Sequence, residues 1–230
     1  MDFFSIIYWN FTIFAEIFFD NMERLKSLGV IPVNKDILYS LYGNLKFPEN
    51  KIADLEQNGL IIRIKRNLYV VSPKVHHQEI SRELVANHLY RPSYVSLESA
   101  LSYYGLIPER VYSVRSVCTK LHKQYNTPLG YFEYIKVPEN YFSIGIRQEI
   151  IENQYAFLIA TPTKVICDMI VATPNLRLQS VKAMHEYLEN DLRFEMSALS
   201  SFNTDIIENC IKFGKKKTEL TQLLKLLSEL

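Results

Sequence analysis

KIADLEQNGLIIRIKRNLYVV, Lys51 to Val71, decides how the N-terminal part of this chain is read. Its first turns place Ile52 and Leu55 on one face with Ala53 beside them. Asn58-Gly59 then closes the segment, because glycine adopts without penalty the left-handed conformation in which helices commonly end. In the run that follows, Ile62 and Ile64 alternate with Ile61, Arg63 and Lys65, the two-residue period of a strand. Asn67 is one of the few residue types that tolerate a positive φ at a hairpin turn. A short helix is therefore expected to feed directly into a hairpin with one apolar face and a basic tip.

Upstream, MERLKSLGV from Met22 reads as a helix with Gly29 as its stop. Pro32 and Asn34 supply a break and an N-cap for NKDILYSLYGN, which ends near Gly43. Pro48 suits the first turn of the third helix, the one that Gly59 closes. Helix, turn, helix and then a basic-tipped hairpin is the order of a winged helix-turn-helix, expected over residues 22–72. In that fold the second helix of the pair enters the major groove and the wing touches phosphate. Lys46, Asn50, Lys51 and Gln57 are the candidate contacts from the helix, and Arg63, Lys65, Arg66 and Asn67 those from the wing. Between Asn34 and Ser72, six basic residues (Lys35, Lys46, Lys51, Arg63, Lys65, Arg66) face four acidic ones (Asp36, Glu49, Asp54, Glu56). So small an excess predicts weak binding by a single copy, with useful affinity requiring two half-sites or further basic surface. The bland alternative is a winged module that packs against protein, its lysines and arginines merely solvated.

The composition of the whole chain sets bounds on this reading. Its 230 residues are 48% hydrophobic and 22% charged, enough for one large or two small cores. Lys+Arg 26 against Asp+Glu 25 leaves no global field for a polyanion, so any such partner must meet a local patch. Cys118, Cys167 and Cys210 are isolated, odd in number and without CxxC spacing, which favours a reducing cytoplasm over a disulfide framework or a zinc knuckle. Residues 1–21, MDFFSIIYWNFTIFAEIFFDN, are apolar but interrupted by Asp2, Asn10, Glu16 and Asp20, with neither a basic leader nor a cleavage site. They read as an N-terminal extension or loosely packed helix, as a core helix, or as a membrane anchor, and no membrane association is expected.

SPKVHHQ, Ser72 to Gln78, is the expected linker, since Pro73 ends the wing. Residues 79–230 then read as an α+β domain with a helical tail. EISRELVANHLY and Ser96 to Tyr104 are its first helices, and Val111–Thr119, Gly130–Val137 and Gln154–Ala160 its β-rich runs. KVICDMIV and nearly everything from Arg177 onward is helical. Catalytic patterns are missing. His76, His77, His88, His122 and His185 show no ligand spacing, so no metal or other cofactor is implied. Ser96 reads as an N-cap, with Ser99 where a capping box would have Glu or Gln, and Asp168 stands alone in CDMI. No GxxxxGK, GxGxxG or GxSxG occurs. The aromatic residues from Tyr103 to Phe142 suit a core. In GYFEYIKV, however, the alternation leaves room for one aromatic face to meet a partner, with Tyr131 and Tyr134 as anchors. Lys215, Lys216 and Lys217 read as a solvated helix start.

RPSYVSLESALSYYGLIPERV, SVCTKLHKQYNTPLGYFEYIKV and FLIATPTKVICDMI, in this order after a winged segment ending in NLYVV, resemble the antitoxins of abortive-infection type IV toxin-antitoxin systems. The resemblance runs from about Met22 to Val171. It rests on the order of the phrases, none of which is a catalytic signature. It implies a non-enzymatic, cytoplasmic protein of two activities. The winged head would repress its own operon at promoter repeats in double-stranded DNA, and the C-terminal domain would neutralise a nucleotidyltransferase-like toxin in phage defence. A stand-alone winged-helix transcriptional regulator with a ligand- or protein-binding C-terminal domain is the nearest alternative.

Overall fold

The structure, a computed structural model, describes residues 18–229 and is mixed α+β with a helical C-terminal region. The chain divides into two units between Ser81 and Arg82.

In the first unit, helix α1 (residues 18–26) is followed by β1 (Val33–Asn34), α2 (Lys35–Leu41) and α3 (Pro48–Gln57). Then come β2 (Ile61–Lys65), β3 (Leu68–Val71) and the single turn α4 (Pro73–His76). The strands form an antiparallel sheet in the order β1-β3-β2, with Val33 opposite Tyr69 and Ile61 opposite Val71. Every residue of the central strand β3 is buried. Leu25, Leu38, Ile52, Leu55, Ile61 and Val71 meet in one core between the helices and the sheet.

Four expectations change here. The helix expected from Met22 is already formed at residue 18, and Phe18 packs on the core. The readings offered for residues 1–21 otherwise fall on residues 1–17, outside the described part. Ala53 is exposed, because it lies a full 100° from Ile52 around the helix. Strict alternation fails in β2, where the register shifts between Arg63 and Lys65. That shift buries Ile64 together with Ile61, three positions earlier, and leaves Ile62 half-exposed. Ser72 to Gln78 is no free linker. The Ser72 hydroxyl accepts the Lys74 N–H (3.3 Å) to start α4, and Val75 is buried in the same core.

The second unit opens with α5 (Arg82–Leu89), β4 (Ser93–Val95), α6 (Leu97–Tyr103), β5 (Val114–Cys118), β6 (Lys123–Thr127) and β7 (Gly130–Lys136). It continues with α7 (Glu139–Phe142), β8 (Ile146–Ile151), β9 (Tyr155–Ala160) and α8 (Pro162–Ala172). The six strands run in the order β6-β7-β5-β4-β9-β8, parallel at β5/β7 and β4/β9 and antiparallel elsewhere. The three expected β-rich runs contain β5, β7 and β9. β6 is missed because it is an edge strand of mostly polar, exposed residues, β8 because its isoleucines are interrupted by Arg147, Gln148 and Glu149 at the other edge, and β4 because it has only three residues. The tail contains α9 (Val181–Glu186), a wide turn at Tyr187–Asp191, a tight one at Met196–Ser201, α10 (Thr204–Phe213) and α11 (Lys217–Ser228). Side chains cap several of these starts: Thr161 accepts the Lys164 N–H (3.4 Å), Ser180 that of Ala183 (3.1 Å) and Asn203 that of Asp205 (2.9 Å). Among the described residues no helix is long and apolar enough to cross a membrane.

Candidate nucleic-acid interface

α3 begins with Pro48 in its first turn and ends through Gly59, whose φ is +67°. The Leu60 N–H reaches the Leu55 carbonyl (2.9 Å) and the Gly59 N–H that of Glu56 (3.0 Å), which satisfies two carbonyls the helix would otherwise leave open. With Ile52 and Leu55 facing the core, Asn50, Ala53, Asp54 and Gln57 form an exposed row at i, i+3, i+4 and i+7. Asp54 is partly neutralised on this row. Lys51 lies 3.3 Å from its Oδ2, and the Asn58 amide donates to Oδ1 at 2.9 Å.

Lys51 itself departs from the expectation of a DNA contact. Its side chain is only 16% exposed, paired with Asp54 and set 5.9 Å from the centre of the Tyr42 ring. Lys46 is exposed in the connection between α2 and α3, with its ammonium over Phe47 at 5.5 Å.

The hairpin lies against this helix. Arg63 Nε is 3.2 Å from Glu56 Oε1, an ion pair that ties β2 to α3 and occupies the guanidinium expected to grip phosphate. Arg66 and Asn67 are exposed at the tip, Asn67 with φ +63°, and Lys65 is half-buried beside them. The Asn67 carbonyl accepts the N–H of Lys35 at 3.4 Å, so the hairpin also anchors the start of α2. The Lys35 ammonium stands over Tyr39 at 4.8 Å, and hydrogen bonding to the Tyr39 hydroxyl holds it above its ordinary pKa. The structure therefore brings Asn50, Gln57, Arg63, Lys65, Arg66 and Asn67 onto two adjoining elements and turns Lys51 aside. Ala53 and Lys35 join the surface. Helical spacing from Asn50 could have found Ala53, whereas nothing in the sequence announces the Glu56–Arg63 pair.

In the second unit, Tyr134 is not a surface anchor. It is fully buried, donates its hydroxyl to the Ala86 carbonyl at 2.7 Å, and packs edge-on against Tyr90 and Tyr125. Burial pushes its phenol far above the usual range. Tyr131, on the opposite face of β7, is 38% exposed. Asp168, which looks solitary in the sequence, is the acceptor of a closed cluster. Its Oδ1 receives Lys164 Nζ and the Tyr141 hydroxyl (both 2.9 Å), and its Oδ2 the hydroxyls of Tyr94 (3.0 Å) and Ser96 (2.7 Å). Ser96 thus spends its hydroxyl on Asp168 and makes no side-chain cap, while Ser99 donates to the Ser113 carbonyl and accepts the Arg115 N–H. Lys164 also donates to the Tyr141 carbonyl (3.3 Å) and sits 3.2 Å from the centre of its ring. Every member is buried, so the cluster fastens β4, α7 and α8 together with its charges paired. Among the described residues no group of three or more His, Cys, Asp and Glu is placed to hold a metal ion.

Compared with known proteins, the chain matches no family model and no curated protein.

Proposed function

We propose that the N-terminal unit is a winged helix-turn-helix that binds double-stranded DNA, and that the protein is a cytoplasmic type IV antitoxin which represses its own operon. The observation that carries the DNA reading is the exposed row Asn50–Ala53–Gln57 of α3 standing beside a hairpin whose tip presents Arg66 and Asn67. Asn50 and Gln57 have the amide donors and acceptors that pair with adenine edges, and the Ala53 methyl suits a thymine methyl. Lys46, Lys65 and Arg66 are the phosphate contacts, with Arg63 holding the hairpin to α3 through Glu56. The partner reading, a nucleotidyltransferase-like toxin neutralised by the second unit, rests on the resemblance of its ordered phrases to that antitoxin family.

Electrophoretic shift on the protein's own upstream DNA tests the head. Replacing Arg66 with Ala should weaken binding to all sequences alike and reduce the log-log salt slope by about one. Replacing Asn50 or Gln57 with Ala should cost about 1–3 kcal/mol on the operator and little on unrelated DNA. Binding that is indifferent to all three changes would remove the assignment.

A further inference from the structure

The six-stranded sheet ends at β8, whose inner edge pairs with β9 and whose outer edge has no strand beside it among the described residues. Such an edge offers a row of backbone donors and acceptors, and proteins commonly blunt it with proline or lysine. β8 has neither. It runs from Ile146 to Ile151, its first five residues being Ile146-Arg147-Gln148-Glu149-Ile150, and Ile150 is 60% exposed.

That sequence is complementary to itself when reversed. An antiparallel copy laid alongside with its two-fold axis at Gln148 sets Arg147 opposite Glu149 and Ile146 opposite Ile150, each twice. The two kinds of pair also fall on separate faces. Ile146, Gln148 and Ile150 share a face with their β9 partners Ala160, Leu158 and Ala156, of which Leu158 is exposed, while Arg147 and Glu149 project from the other. Within one copy Arg147 pairs with Glu149 along the strand at 2.5 Å and lies over the Tyr104 ring at 5.0 Å, so pairing across the axis exchanges an intrachain ion pair for the same two charges in the second copy. The sheet's other edge lacks this property. Reversing β6 about Tyr125 sets Lys123 against Thr127 and Gln124 against Asn126, with no opposite charges.

We propose that β8 is a homodimerisation edge: a second copy of this chain pairs with it antiparallel about Gln148, joining two sheets into one. The charge complementarity selects a second copy over an unrelated strand. The proposal stands apart from the DNA-binding reading and requires nothing of the first unit.

Sedimentation velocity of the full chain over a concentration series reads the result. The unaltered chain should shift from the mass of one copy towards two as concentration rises. Arg147→Glu alone sets glutamate against glutamate across the axis, and Glu149→Arg alone sets arginine against arginine. Each should weaken self-association on the order of tenfold or more. Mixed together, these two variants should recover the dimer, because each then supplies the charges the other lacks. The doubly exchanged chain, R147E/E149R, should dimerise like the original, and it serves in place of the mixture if either single variant loses its cooperative melt. An unaltered chain that remains one copy throughout, single variants that associate undiminished, or a mixture and exchanged chain that both stay monomeric would each overturn the proposal.

Discussion

At the scale of single residues the second unit depends on how its buried polar atoms are matched. Replacing Asp168 with Ala would strand the Lys164 ammonium, together with three hydroxyls, in a site from which water is excluded. The expected loss is about 3–5 kcal/mol in denaturant unfolding, because an unpaired buried charge costs far more than the intact pair contributes. Ser116 presents the opposite case: it is fully buried on β5 and its hydroxyl has no partner among the described residues, so Ser116→Ala should raise stability by about 1 kcal/mol. Alkali should act through the phenols. Burial raises Tyr104 to about 12 and Tyr94, Tyr134 and Tyr141 further, against an ordinary value of 10.0. Above pH 10 the unfolded chain loses these protons while the native one keeps them. The stabilisation is therefore complete below that pH and declines as pH rises through 10 to 12, a fall that melting curves across this range would record. Little of this was legible in the sequence. Lys164 stands one helical turn from Asp168 and could have been paired by spacing, but Tyr94, Ser96 and Tyr141 reach the carboxylate from other elements, where spacing carries no information.

At the scale of elements, local chemistry was readable wherever a residue type enforces a conformation. Pro48 and Gly59 bound α3 as expected, and Asn67 turns the hairpin with a positive φ. Gly59→Ala tests that reasoning. At φ +67° a Cβ incurs left-handed strain of about 1–2 kcal/mol, and its nearest neighbour is the Lys74 ammonium at 3.3 Å, a flexible group able to move aside. The loss of stability should thus come from the backbone alone, and DNA affinity at temperatures well below the melt should change little. Where no residue type enforces the outcome, period counting failed. The register shift in β2 depends on how Arg63 and Lys65 match Tyr69 and Leu68 across the ladder, and β8 is a strand only because β9 pairs with it. Both faces of β8 are partly solvated, with Gln148 and Ile150 exposed on one and Arg147 on the other, so no buried face imposes an alternation that the sequence could show.

For the whole molecule, the division between Ser81 and Arg82 turns the two proposed activities into separable experiments. Residues 82–230 contain a complete six-stranded sheet, the buried Asp168 cluster and the helical tail, so this fragment should unfold cooperatively by itself and show no operator binding. The linker expected at Ser72 to Gln78 lies wholly within the first unit; a cut at its start would carry Val75 away from that unit's core and destabilise the head. The proposed neutralisation can then be resolved among capture of the toxin, repression alone and reversal of the toxin's chemistry. The exposed aromatic Tyr131 is the surviving member of the predicted pair of anchors, and a specific capture interface would bury on the order of 1,200 Å² or more. Expressing the fragment and the toxin from unrelated promoters removes repression as an explanation. Growth rescue with co-elution on size exclusion is the outcome capture predicts, and Tyr131→Ala should then weaken the complex. Rescue without co-elution directs attention to reversal. If neither the fragment nor the full chain rescues growth while the head still shifts operator DNA, the protein is a stand-alone repressor. The second unit would then have to serve that repressor by a route other than toxin binding, such as pairing two copies through β8.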